Sequence, residues 1–291
     1  MSQRVVEKDN RKKSKVMPII SSILFMAGAC IFFYPTVSNY IAEKNQASVI
    51  QEYQETVQKD DIENVEAEWA KAEEYNENLA GDPVHDPFVP GSGYALPENY
   101  LDVLNVNGIM GYIEIPKISV YLPIYHGTSE EVLEKGVGHI ESTSLPIGGQ
   151  YRHSVLTGHR GLPSAELFTN LDKLKEGDYF YIHVLDQTLA YKLDQINTVQ
   201  PRDLEDLVAV PGEDYITLVT CTPYAVNTHR LLVRGSRTDY VPPEETTGGE
   251  TANLQFVGIN IHFYYIGIGI GLVLLIAAIV IMKKKKWFRK R

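Results

Sequence analysis

The chain has 291 residues, 44% hydrophobic and 22% charged, close to the values of ordinary folded proteins, which argues against bulk disorder. Its formal net charge is −10, and many of its bases sit in the two terminal tails, so the stretch between them is acidic. No basic face remains there to neutralise phosphates, which excludes a nucleic-acid partner.

Residues 1–15 form a basic tail carrying Arg11, Lys12, Lys13 and Lys15. Residues 16–37, "VMPIISSILFMAGACIFFYPTV", contain no charged side chain and are long enough to cross a bilayer as a helix, which takes about 20 residues. A cleaved signal peptide is the rival reading, and "MAGAC" loosely resembles a lipoprotein cleavage box ending at Cys30. Ala27 stands where such boxes prefer Leu, and the apolar run continues past Cys30, so an uncleaved transmembrane anchor is expected.

Residues 38–80 are polar, with Ile41, Val49, Ile50, Tyr53, Val57, Ile62, Val65, Trp69 and Ala72 at helical spacing in a background of Glu, Gln, Ala and Lys. They predict helices that pack on a neighbouring domain or form a stalk, stopped by Gly81 and Pro83. Residues 81–99, within "GDPVHDPFVPGSGYALPENY", have no regular period and read as a long loop. In it Asp86, Pro87 and Phe88 join a charge, a rigid turn residue and a large aromatic.

From residue 100 to 240 the pattern is β. "GIMGYIEIPKISVYLPIYHG" predicts two strands broken at Pro116, and "GQYRHSVLTGHRG", "DYFYIHVLDQTLAYKLDQINTV", "DYITLVTCTPYAV" and "THRLLVRGSRTDY" predict more. "LPSAELFTNLDKL" predicts one helix, Ser164 to Leu174. The fold class expected is therefore mainly β, a closed or nearly closed β-barrel with N-terminal helices and two flanking transmembrane helices.

Residues 241–260 are a Pro-, Gly-, Thr- and Glu-containing linker. Residues 261–282, "IHFYYIGIGIGLVLLIAAIVIM", are a second uncharged run, followed in 283–291 by a tail with Lys283 to Lys286, Arg289, Lys290 and Arg291. An apolar run with a basic tail also ends proteins bound for cell-wall attachment, but no Leu-Pro-x-Thr-Gly pentapeptide precedes this one. Bases beside a span stay on the cytoplasmic side, so both termini are expected inside and residues 38–260 outside, in the cell membrane.

This topology sharpens the cysteine count. Cys30 falls in a span, leaving Cys221 as the single thiol of the outer domain. Exported domains usually hold cysteines in pairs, so a lone one is a small core residue, an intermolecular bridge or a reactive nucleophile. Two further strand ends carry capable side chains: His159 in "VLTGHRG" and Arg230 in "NTHRLLVRG". A thiolate nucleophile, an imidazole that can give and take a proton, and a guanidinium for an oxyanion suffice for acyl transfer. His85, His126, His139 and His183 have no partners at metal-ligand spacing, so no metal site is expected. His153, His229 and Arg234 read as structural.

At these residues the chain resembles the sortases, cysteine transpeptidases of Gram-positive cell surfaces. "TLVTCTPY" matches their Thr-Leu-x-Thr-Cys signature, "LTGHRG" their histidine motif and "NTHRLLVRG" their arginine motif, in the family's order. The run "CTPYAVNTHRLLVRG", the second span and the upstream "DPF" are similar to class C, the pilin-polymerising sortases. The resemblance covers about residues 81–240 plus both anchors, and implies a sortase-type barrel. It implies Cys221 as nucleophile, His159 as general acid/base and Arg230 as oxyanion or substrate stabiliser. It also implies Asp86, Pro87 and Phe88 as a lid, with Phe where many relatives carry Trp, and Thr220 and Thr222 as residues lining the site. The activity implied is cleavage of a Leu-Pro-x-Thr-Gly-like sorting signal between Thr and Gly through a thioacyl enzyme. Transfer to a lysine amine of a second pilin subunit follows, with no cofactor. Two alternatives stand beside it: a housekeeping-type sortase attaching surface proteins to peptidoglycan, and a non-catalytic membrane-anchored β-barrel adhesin.

Overall fold

The computed structural model describes residues 16–59, 62–79 and 99–240 together with Pro242. The lid residues Asp86, Pro87 and Phe88, the second apolar run at 261–282, nearly all of the linker and both basic tails lie outside the described residues.

The first helix, α1, runs unbroken from Val16 to Lys59, so the apolar run at 16–37 and the polar stretch that follows it are one continuous helix. After Pro35 the helix contains neither glycine nor proline, and nothing in the sequence interrupts it. Its two halves differ in environment. Ile23, Leu24, Ile31 and Phe32 are 62–76% exposed, and among the described residues this is the one helix long and apolar enough to cross a membrane. The polar half docks on the barrel along one stripe, where Ile50 and Tyr53 are buried. The Tyr53 hydroxyl donates to the Met110 carbonyl at 3.2 Å and accepts from the Leu185 N–H at 2.6 Å. Asn39 donates to Glu43 and accepts from the Glu166 backbone N–H at 2.7 Å. A second helix, α2 (Ile62–Asn78), buries Ala72 and Tyr75 and brackets Leu145 with Asn76, which bonds both its N–H and its carbonyl.

Eight strands among the described residues close into a barrel. They are β1 (Gly111–Ile115), β2 (Val120–His126), β3 (Val137–His139), β4 (Arg152–Thr157), β5 (Tyr179–Val184), β6 (Gln187–Val199), β7 (Asp214–Thr222) and β8 (His229–Thr238). The order around the barrel is β1-β2-β3-β4-β7-β8-β6-β5, antiparallel except for the β2–β3 and β4–β7 pairs. Pro116 separates β1 from β2 as expected, in a single 3-10 turn. Ile113, Ile124, Leu156, Phe168, Phe180, Tyr191, Leu218 and Val233 fill the interior. Ile140, Val155, Leu207, Val219 and Leu232 form a second apolar layer. Strands β4 and β7 carry apolar side chains into both clusters, which is why "SVLT" and "ITLVTC" are continuously buried rather than alternating.

The helix expected over Ser164 to Leu174 does not form. Its apolar residues Ala165, Leu167, Phe168, Leu171 and Leu174 are all buried, but Leu167 is left-handed at φ 42°, and only a 3-10 turn at Leu171–Lys173 remains. The backbone groups a helix would have paired internally are used elsewhere: Glu166 N–H on Asn39 and Phe168 N–H on the His159 carbonyl. A short helix not anticipated, α3 (Glu130–Lys135), lies instead between β2 and β3, capped by Ser129, which accepts from the Val132 N–H.

Candidate active site

Strand register brings the stretches that carry Cys221, His159 and Arg230 to one end of the barrel. In the antiparallel β7–β8 pair, Cys221 lies directly opposite Arg230. In the parallel β4–β7 pair, Thr157 is level with Val219, the last step before β4 ends. The chain stays attached to β7 beyond that point. The Gly158 N–H donates to the Val219 carbonyl at 3.1 Å, and the Thr220 hydroxyl donates to the Gly158 carbonyl at 2.7 Å. Continued two steps beyond the Thr157–Val219 pair, this register would set His159 level with Cys221, which brings three separated stretches of sequence to one end of the barrel.

Each side chain is held by its own local structure. A Cβ on Gly158 would lie 2.9 Å from the Phe168 ring, so glycine is what lets the loop sit against the core. The Phe168 N–H then fixes the His159 carbonyl at 3.1 Å. Gly161 has φ +78°, and a Cβ there would lie 2.8 Å from the Tyr224 ring, so the β7–β8 turn closes tightly over this loop. Cys221 is 8% exposed, Arg230 5%, and the His159 imidazole is half-buried. Arg230 Nη1 donates to the His229 carbonyl at 3.2 Å and to the Asn227 carbonyl at 3.4 Å. Partial burial lowers the His159 pKa from its ordinary value, while the carboxylates of Glu134 and Glu130 on α3 oppose that shift.

Of the two threonines beside the thiol, Thr220 is fully buried and ties β7 to the histidine loop. Thr222 is half-buried, and its hydroxyl accepts from Arg160 Nη1 at 3.1 Å. Arg160 went unremarked in the sequence, although it sits inside "GHRG" directly after His159. Its side chain is 8% exposed, and Nη2 pairs with Asp172. His153 and His139 lie in other hydrogen-bond networks, whereas His229, also read as structural, stands opposite Thr222 and its carbonyl accepts from Arg230. His153 bonds Thr217 and the Val208 carbonyl, and His139 bonds Tyr100 and the Ser144 carbonyl. Arg234 makes a two-armed ion pair with Asp194 and stacks on Tyr215. Among the described residues no group of three or more His, Cys, Asp or Glu could hold a metal ion.

A closed β-barrel with a thiol opposite an arginine, at the end where the histidine loop is bonded, defines a class: barrels equipped for cysteine-based acyl transfer. The Sortase domain family profile matches residues 113–238, which is the barrel from β1 to the end of β8. A crystal structure of Streptococcus pneumoniae sortase C, described as giving insight into catalysis and pilin substrate specificity, is 50% identical. It covers 67% of this chain, is itself covered to 99%, and has a TM-score of 0.63. The pilus-related sortase C of Group B Streptococcus is 47% identical, covering 65% of this chain and 97% of its own, with a TM-score of 0.62. Sortase A of Bacillus anthracis is 27% identical over 223 residues, 77% of this chain and 95% of that protein. The chain belongs to the sortase family of cysteine transpeptidases, and its structural neighbours are class C members.

Proposed function

We propose that this protein is a membrane-anchored class C sortase that builds covalent pili, with Cys221, His159 and Arg230 performing the transfer. The observation that carries this reading is the register at the barrel's end, Cys221 opposite Arg230 with the His159 loop bonded alongside. The Cys221 sulfur, as thiolate, adds to the Thr carbonyl of a Leu-Pro-x-Thr-Gly-like signal. Arg230 stabilises the oxyanion. When the tetrahedral intermediate collapses, the Thr–Gly bond breaks, His159 protonates the departing Gly amine, and a thioester remains on Cys221. A lysine ε-amine of a second pilin then attacks. His159 takes its proton, an isopeptide bond forms and the thiolate is released. A thiol and an amine do this chemistry without a cofactor.

Asp86, Pro87 and Phe88 enter as a lid over this site through their resemblance alone. Two membrane passes, with spans at 16–37 and 261–282, residues 38–260 outside and both termini in the cytoplasm, are supported by the flanking bases and by the exposed apolar half of α1. Held on the same surface, enzyme and membrane-bound pilins would meet at high effective concentration.

Cys221→Ala tests the catalytic reading. Incubated with a sorting-signal peptide, the native enzyme should accumulate a thioacyl adduct visible by mass spectrometry, and the variant none, with turnover reduced by at least about 10³-fold. An adduct on the alanine variant would remove Cys221 from the mechanism. Competing a pilin lysine against a peptidoglycan cross-bridge amine decides between pilus assembly and wall attachment.

A further inference from the structure

The step from His159 to Cys221 is bracketed on both sides. One residue before it, the Thr220 hydroxyl donates to the Gly158 carbonyl at 2.7 Å. One residue after it, Arg160 Nη1 donates to the Thr222 hydroxyl at 3.1 Å. Both are side-chain bonds between the strand end that carries the histidine and the strand end that carries the thiol, and both lie beyond the last paired step of β4 and β7. We propose that Arg160 is a positioning residue for the transpeptidation, fixing the separation of His159 and Cys221 by cross-linking the residues that follow them.

The second arm explains why an arginine stands here. Nη2 pairs with Asp172, which follows Leu171, the buried residue that opens the 3-10 turn at Leu171–Lys173. The planar guanidinium therefore spans two partners in a fixed fork, one on β7 and one on the segment that covers the histidine loop. Its side chain is 8% exposed, and Nε is buried without a hydrogen-bond partner among the described residues, so its hold on the site rests on the two Nη arms. Backbone groups of the loop are secured as well, the His159 carbonyl by Phe168 N–H and the Gly161 N–H by the Thr169 hydroxyl at 3.0 Å. Those bonds tie the histidine to its cover. The Arg160–Thr222 bond ties it to the residue next to the thiol. Proton transfer between the histidine and a group on the sulfur is steep in distance, so a misplacement of about 1 Å can cost about 10²-fold in rate.

The inference rests on the assignment of Cys221 and His159 as nucleophile and acid/base, and its test keeps the two apart. The full chain is assayed in detergent with a sorting-signal peptide, in five variants: Arg160→Met, Arg160→Lys, Thr222→Val, Arg160→Met with Thr222→Val, and Cys221→Ala as control. Thr222→Val deletes the acceptor oxygen and keeps the shape, so it serves where Arg160→Met folds poorly, and circular dichroism sets the folded fraction for each. Positioning predicts that each single variant lowers kcat about 10- to 100-fold with KM within about 3-fold, and that the double variant is no worse than the poorer single one. Arg160→Lys, which reaches one partner but cannot span both, should recover part of the loss. Unchanged kcat in both single variants overturns the proposal, as does a loss confined to KM. Losses that multiply in the double variant overturn it too, because the two side chains would then act separately. A Cys221→Ala chain that still turns over would instead remove the reading on which the inference rests.

Discussion

His139 ends β3, where it pairs with Leu156 of β4, and His159 follows two residues after β4 ends, so the two imidazoles belong to neighbouring parts of one barrel. Their surroundings are opposite. His139 is fully buried, with Nε2 at 2.9 Å from the Ser144 carbonyl and Nδ1 at 2.9 Å from the Tyr100 hydroxyl. A carbonyl can only accept, so Nε2 carries the proton and Nδ1 accepts from Tyr100. Burial pushes its pKa down to about 4, with the Ser144 carbonyl opposing and His126 adding to the depression. His159 is half-buried, its backbone is fixed rather than sealed, and carboxylates on α3 face it. The difference separates a histidine that holds a structure from one placed to change its protonation within it.

Exchanging each ring gives the largest expected effect and the sharpest way to break this contrast. His159→Gln should lower kcat about 10²- to 10⁴-fold and leave the unfolding free energy within roughly 0.5 kcal/mol. His139→Phe should leave the Ser144 carbonyl and Tyr100 hydroxyl without their ring partner and cost about 2–4 kcal/mol of stability. Activity per folded molecule should stay the same. Urea titration and peptide-cleavage kinetics on both variants read the two quantities. A stability loss for His159→Gln with little effect on rate would erase the distinction.

The same contrast explains what could be read in advance. Barrel strands were legible because alternating apolar residues and the break at Pro116 are local signals. The proposed site could be read from sequence because Cys221, His159 and Arg230 each sit in a short motif at a strand end. Register, which brings their strand ends together, is a long-range property, and so are the bonds of Arg160, since Thr222 and Asp172 are 62 and 12 residues away from it. Ser164 to Leu174 misled because its apolar residues have helical spacing. That spacing records burial, and the left-handed Leu167 and the bonds to Asn39 and His159 decide the backbone instead. The three-residue β3 is too short to show a period. Helix α3 was signalled by Ser129 followed by Glu130 and Glu131, a cap that went unread in a short segment.

A second, intermediate effect concerns pH. His153 shares the condition of His139: its Nε2 lies 2.7 Å from the Thr217 hydroxyl, and burial, opposed by the Val208 carbonyl, brings its pKa to about 4. In the unfolded chain each ring titrates near about 6.5. The folded values are lower, so the unfolded state takes up protons first as pH falls. The stability these rings confer is whole above about pH 6.5 and is lost progressively toward pH 4, by about 1.4 kcal/mol per pH unit for each proton. Urea unfolding at pH 7, 6 and 5 should show this loss, and His139→Phe should flatten its share. An identical slope in that variant would show that His139 titrates normally.

The smallest effect tests the other side of the contrast. Glu130 and Glu134 are exposed on α3, and their charges raise the His159 pKa against the lowering by burial. Ser129 caps that helix, and the first-turn acids are also favoured by its dipole, so Glu134→Gln is the cleaner replacement. It should lower the His159 pKa, seen by NMR titration of the ring, and leave His139 unmoved, since burial, the Ser144 carbonyl and His126 are what shift that ring among the described residues. The shift should shrink as salt is added, because exposed charges are screened over about 8 Å at physiological ionic strength. A shift that persists in high salt would mean that Glu134 touches the ring directly rather than through solvent. A shift that appears at His139 as well would mean that the two rings share one electrostatic environment, and the division between sealed and poised histidines would fail.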